Sequence, residues 1–389
     1  MKKLIAIAVV FALVAGVAFA VDLGASVDAT INLVEGSSVK DSDVTTFGDF
    51  GALQLQGSGE SGDGTFGGWI RFAPTNDDAW KATQGDKVKI ASGVAWWKPI
   101  DQFKLAIGSN GGDGFWGKEG VTGWMFNQKA NSKGFVENGG MWFGNGWGSS
   151  PWGNSIGPFH TRYTFFEGVV NNALMLEIKP LDMLGINIAL PYLANSGATA
   201  EDMFKAVIAQ VDLNFDFGNI SFAFDGGGRA VTAFGDEGGI FVYYGGSFGD
   251  LSLDVGLSYH LAKDDGPAVP LGIGLGLKYA SGDFGVKFRG TVALGGDKAQ
   301  KDLTYVNVDV LPYYAFSDSV AAFFYAGLGL KAKDDDSAVG FFINPYLRIG
   351  AEWGPSFYVG FRLQSDGLTP KDADGEIKWA IPILLTVGF

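Results

Sequence analysis

Apolar and polar residues alternate with a period of two along most of this chain. In the stretch "VDLGASVDATINLV" the positions Leu23, Ala25, Val27, Ala29, Ile31 and Leu33 are apolar, while Asp22, Gly24, Ser26, Asp28, Thr30 and Asn32 are small or polar. Alternation of this length predicts a strand with two unlike faces. The pattern returns at Leu251–Leu261, Leu271–Tyr279, Phe284–Leu294, Val306–Tyr314, Phe341–Trp353 and Phe357–Leu363. It ends with Ile377, Trp379, Ile381, Ile383, Leu385, Val387 and the terminal Phe389. None of the apolar-face positions is charged, in a chain that is 18% charged. The opposite face carries Asp22, Asp28, Asp254, Lys278, Lys287, Arg289, Asp309, Arg348, Glu352, Arg362 and Lys378.

The connections alternate too. Tight turns such as "SFGD" (247–250), "ASGD" (280–283), "FSDS" (316–319) and "WGPS" (353–356) take turns with longer polar loops. Those loops are "AKDDGPAV" (262–269), "GGDKAQKD" (295–302), "KAKDDDS" (331–337) and "SDGLTPKDADG" (365–375). Turns short on one side and long on the other are the arrangement of a membrane-spanning barrel. Working back from the last strand gives segments near 22–34, 49–58, 64–73, 87–98, 101–109, 161–179, 183–192, 204–216, 219–225 and 239–247, then eight from 250 onward. The expected fold is all-β, a closed antiparallel transmembrane barrel of about eighteen strands. Sixteen is the alternative, because 161–179 is too long for one strand. A soluble β-sandwich also alternates, and Pro312, Pro345 and Pro382 inside strand patterns count against any sheet.

Composition narrows the picture. Lys2 and Lys3, the apolar run Leu4–Val17 and the small-x-small Ala18-Phe19-Ala20 predict a secretory signal peptide over 1–20. The rest, 21–389, is expected to form a single barrel. The formal charge is −14 and becomes −16 once the two signal lysines are gone, which argues against nucleic acid as a partner. There is no cysteine, so no disulfide holds the fold. Histidine occurs only at His160 and His260.

The export signal, the alternating strands of about ten residues and the closing "LLTVGF" resemble the bacterial outer-membrane β-barrel class, porins in particular. That resemblance implies residence in the outer membrane among its lipids. It also implies that Phe389 is a signal read by the barrel-assembly machinery, and it suggests a homotrimer.

A barrel of sixteen to eighteen strands is too wide for its own side chains to fill. The expected function is therefore a porin, a water-filled channel for small hydrophilic solutes and ions, with cations favoured by the acidic balance. The residues expected to line the pore are Arg71, Asp212, Asp254, Lys278, Lys287, Arg289, Asp309, Arg348, Glu352 and Arg362. On the lipid face each Arg or Lys would cost about 2–4 kcal/mol at mid-bilayer. Opposed basic and acidic arcs would orient passing solutes.

Residues 110–160 lack clear alternation and hold fourteen glycines with Trp116, Trp124, Trp142, Trp147 and Trp152. This loop is expected to fold into the lumen as a constriction; an extracellular cap is the other reading. Its tryptophans could stack sugar rings, which makes a sugar-selective porin one alternative. A barrel that only mounts ligand-binding, adhesin-like loops is another. Enzymatic activity is not expected, because Ser258 and His260 share one strand face about 7 Å apart, beyond hydrogen-bond reach. Nor is any metal or cofactor, since "DADGE" (372–376) and "KDDD" (333–336) lack full ligand spacing.

Overall fold

The computed structural model describes residues 20–37, 45–50, 54–74, 88–109, 173–191, 199–226, 239–260, 271–294, 304–333, 336–351, 355–365 and 377–388. They form twenty strands and one short helix in a single sheet. The first strands are β1 (Ala20–Ser37), β2 (Thr45–Phe50), β3 (Gln54–Glu60), β4 (Phe66–Pro74), β5 (Val88–Ile100), β6 (Phe103–Ser109), β7 (Ala173–Leu181) and β8 (Leu184–Pro191). Helix α1 (Ala200–Lys205) precedes β9 (Ile208–Phe215), β10 (Gly218–Asp225), β11 (Gly239–Phe248), β12 (Leu251–His260), β13 (Leu271–Ser281) and β14 (Phe284–Leu294). The chain continues through β15 (Thr304–Ser317), β16 (Val320–Lys333), β17 (Asp336–Gly350), β18 (Ser356–Gly360), β19 (Arg362–Ser365) and β20 (Ile377–Gly388).

Every pairing is antiparallel. From β3 to β17 each strand bonds to its sequence neighbours. β2 and β3 lie end to end along β1, and β18 and β19 lie end to end between β17 and β20. β20 then pairs with β1, Thr30 opposite Leu384.

The faces follow the alternation of the sequence, and they are inverted relative to a soluble protein. Val255, Leu257, Tyr259, Ile273, Phe324 and Leu328 are exposed. Gln210, Asp212, Lys287, Asn344, Arg348 and Arg362 are buried on the opposite, polar face. Aromatic residues gather on the exposed face beside the short turns. Phe66 stacks on Trp97 at 6.5 Å, Trp97 meets Phe103 edge-on at 6.2 Å, and Tyr314 meets Phe316 at 5.1 Å.

Two-residue turns join β11 to β12 and β13 to β14, and each opens with a glycine at positive φ: Gly249 at 61° and Gly282 at 58°. A residue with a Cβ is disfavoured there.

Prolines leave a visible mark. By register Pro312, Phe324, Pro345 and Phe361 stand side by side on β15, β16, β17 and the gap between β18 and β19. Proline donates no ladder bond. The β15–β16 bridging lapses beside Pro312, and β18 gives way to β19 at Phe361, flanked by Pro345 and by Pro382 on β20. Phe361 N–H still reaches Pro345 O at 3.0 Å. The sheet accommodates these prolines at local interruptions.

Of the strand expected over 161–179, residues 173–179 fall in β7, and 161–172 lies outside the described residues. Two other expectations are corrected. The expected strand over 204–216 starts at Ile208, because Ala200–Lys205 is helical. Ala200, Glu201, Met203 and Lys205 are good helix formers, with Glu201 and Lys205 paired at 2.7 Å one turn apart. The polar loop expected over 331–337 is largely strand, with β16 running to Lys333 and β17 starting at Asp336 directly opposite it. Residues 1–19 of the expected signal peptide lie outside the described residues, and Ala20 opens β1.

Candidate functional site

The polar face is where hydrophilic chemistry collects, and it divides into two sectors. The first runs across β4 to β11 and contains a carboxylate held by neutral donors. Asp212 on β9 is flanked in register by Gly185 on β8 and Ser221 on β10. Gln210 Nε2 donates to both of its oxygens, at 2.7 and 2.8 Å, and Asn187 Nδ2 donates to Oδ2 at 3.1 Å. The Ser221 hydroxyl also reaches Oδ1. All four side chains are buried. Charge-assisted hydrogen bonds of this kind are the stronger ones and rigidify the wall.

Toward the loop ends lies an apolar row, Ala106, Met175, Ala189 and Ile208, packed with Trp69 and Trp96. Met175 and Ile208 have 0% exposure. The ring of Trp96 covers Gly67 on β4, where an added Cβ would come within 2.2 Å of it, and Lys104 Nζ sits 5.2 Å from its centre. Glycine is required there by the close approach.

The second sector runs across β13 to β20 and is cationic and aromatic. Lys278 on β13 stands directly opposite Lys287 on β14. Tyr313, Phe323 and Tyr346 are cross-strand neighbours whose rings stack at 5.7 and 4.7 Å. The row is bounded by glycine on both sides, Gly285 opposite Tyr313 and Gly360 opposite Tyr346. Such cross-strand aromatic pairs contribute roughly 0.2–1 kcal/mol each. Arg348 Cζ lies 5.5 Å from the Phe323 ring. Asn344 Nδ2 donates to Phe361 O at 2.8 Å, bridging the β18–β19 interruption.

Of the expected pore-lining residues, Asp212, Lys278, Lys287, Arg348 and Arg362 have described side chains, all on the polar face. Register places Arg71, Asp254, Arg289 and Asp309 on the same face, with Arg289 directly opposite Asp309. Glu352, Phe389 and the tryptophans Trp116, Trp124, Trp142, Trp147 and Trp152 lie outside the described residues. The structure brings Lys278 to Lys287 and Arg348 to Phe323, and it leaves Asp212 well apart on β9. Sequence reasoning passed over Asn187, Gln210 and Ser221, and over the Tyr313–Phe323–Tyr346 row. The signal was parity: each falls on the non-apolar beat of its strand.

Two groups in the short turns have perturbed acidities. The Asp63 carboxyl is held below its ordinary value by the Ser61 hydroxyl at 2.7 Å and the Thr65 amide at 3.0 Å. Asp101 is likewise lowered by its hydrogen bond and ion pair with Lys98 at 2.7 Å.

No family model matches the chain, and no curated protein does. Solved structures share its fold. Salmonella typhi OmpF in complex with daunomycin is 11% identical, with a TM-score of 0.50 over 94% of this chain and 97% of that one. OpdQ of Pseudomonas aeruginosa is also 11% identical, with a TM-score of 0.50 over 95% of this chain and 98% of that one. The fold is that of outer-membrane porins, an all-β antiparallel architecture.

Proposed function

We propose that this chain is a closed barrel of eighteen strands in an outer membrane, forming a water-filled channel for small hydrophilic solutes and ions. The observation that carries the reading is the inversion of the faces. Leucines and phenylalanines are exposed on one side, and charges and amides gather on the other. Such an exterior is stable in hydrocarbon and costly in water. Closure is supported by the β1–β20 pairing, which leaves neither terminal strand as a free edge. Counting β2 with β3 and β18 with β19 as single strands turns twenty segments into eighteen, an even number. The aromatic residues beside the short turns match an interfacial girdle.

Eighteen strands enclose a lumen too wide for the wall side chains to close. Met175 and Ile208 nevertheless face that lumen with 0% exposure. We assign segment 110–160 to cover them as the constriction, since it belongs to the connection between β6 and β7 at the edge of the same sector. The terminal Phe389 is assigned to recognition by the barrel-assembly machinery, and lipid to the exposed face.

A homotrimer fits the outer face of β3 to β5, where Gly57, Gly59, Gly68, Gly93 and Ala95 leave the backbone bare for close approach. Ala95→Cys, in a chain with no cysteine of its own, reports such a contact by disulfide cross-linking.

The test is reconstitution of purified protein in planar bilayers. Stepwise conductance is expected. A protein that folds in detergent and inserts, yet passes no current, overturns the channel reading.

A further inference from the structure

We infer that Asn344 is a substitute ladder donor: its side-chain amide supplies the hydrogen bond that Pro345 cannot, and so clasps β17 to the junction of β18 and β19. This role belongs to the wall itself and holds whether or not the lumen conducts.

Register fixes the geometry. Tyr346 lies opposite Gly360 and Ile343 opposite Leu363, so Pro345 falls directly opposite Phe361. In an antiparallel ladder, opposed residues either exchange two bonds, each N–H donating to the other's carbonyl, or exchange none. Phe361 N–H donates to Pro345 O at 3.0 Å, which makes this a bonded pair. The return bond would run from Pro345 N to Phe361 O, and a proline nitrogen carries no hydrogen. Phe361 O is met instead by Asn344 Nδ2 at 2.8 Å. The residue preceding the proline thus brings a donor to the carbonyl that the proline leaves unserved.

The other end of the amide shows what the side chain is held for. Asn344 has 0% exposure, and its Oδ1 is buried with no hydrogen-bond partner among the described residues. An unpaired buried acceptor costs free energy, so the donor end dictates the position of the group. Turning the amide over would set Oδ1 against Phe361 O, acceptor against acceptor.

The setting makes the bond matter. Phe361 is 41% exposed on the apolar outer face, and register puts Phe324 opposite Pro345 on that face. Where such a face meets hydrocarbon, no water stands in for a lost donor. Unlike a backbone bond, this one can be released by rotation of a side chain, with neither strand displaced. The clasp is the releasable link between β17 and Phe361.

The experiment follows reversible unfolding of the full protein in phospholipid vesicles. N344L keeps the size of the side chain and removes its donor. It is expected to lower the ratio of folded to unfolded protein roughly five- to 150-fold, as for one buried acceptor left unsatisfied. P345V restores a backbone N–H at the pair with a residue suited to a strand. In the P345V background N344L is expected to lose most of its effect, because the ladder then serves Phe361 O. An equal loss in both backgrounds assigns Asn344 to packing and overturns the clasp, as does no loss beside Pro345. Where N344L alone does not fold, recovery of a folded, heat-modifiable band in N344L/P345V is the same rescue, and failure of both variants overturns it. The unmodified protein supplies an independent reading. Its Asn344 side-chain amide protons are expected to exchange with deuterium far more slowly than those of a solvated asparagine, and exchange at the solvated rate overturns the clasp.

Discussion

Leu257 and Ser258 are consecutive on β12, at the same depth and on opposite faces, and together they test the assignment of inside and outside. Leu257 lies six residues beyond the first residue of the strand, Leu251. At about 3.4 Å per residue and a tilt near 40°, that places it about 15 Å above the short-turn end, close to the middle of an apolar band about 25 Å tall. Its side chain is 40% exposed, which in this setting means exposed to hydrocarbon. Leu257→Arg is therefore expected to cost about 2–4 kcal/mol, equivalent to a factor of roughly 30 to 1,000 in the folded population. Ser258→Arg, directed to the polar face by register with Phe241 and Gly272, is expected to cost less than about 1 kcal/mol. The assay is reversible guanidinium unfolding in phospholipid vesicles, with heat-modifiable migration on a gel as an independent index of folding. Equal penalties, or a larger one at Ser258, would refute the face assignment and with it the lumen.

Three further outcomes are expected. Gly285→Val drives a side chain into the Tyr313 ring, whose nearest atom is 2.2 Å from the ideal Cβ, and should cost about 1–3 kcal/mol, read as a lower midpoint of thermal unfolding. Excision of 110–160 should raise single-channel conductance if that segment narrows the lumen, and an unchanged conductance refutes the constriction. The turn at Asp63 should loosen in acid: a carboxyl held below 3.8 by Ser61 and Thr65 stabilises the turn fully above that value and loses its contribution as pH falls through the lowered one. Faster amide exchange of Thr65, relative to the other turns, as the pH is taken below 3.8 checks this.

Most strands were legible because one of their two faces is apolar. A parity error at a single leucine would place it among charges, so the beat of apolar residues specifies the face on which each residue falls. The same logic put Lys278, Lys287, Arg348 and Arg362 on the polar face. What the pattern could not yield were pairings between strands. That Lys278 meets Lys287, or that Tyr313, Phe323 and Tyr346 form one stack, depends on register sums across hairpins whose turns must be known to the residue. Helix α1 escaped notice because six residues give too little periodicity to outweigh a strand that follows directly. The prolines misled in the opposite direction. Pro312, Pro345 and Pro382 argue against strands when read one at a time, and only the register of neighbouring strands shows that each sits beside a local interruption.

The pairing of Thr30 with Leu384 also sets a clock. The two residues lie almost the full length of the chain apart, so this ladder forms only after nearly every residue has been made. Until then β1 is an open edge rich in alternating apolar residues, and such edges invite pairing with other chains. Contacts so distant in sequence also form slowly. The hazard for this protein lies in the interval between synthesis and the meeting of its first and last strands, a hazard that the stability of the finished sheet does not remove.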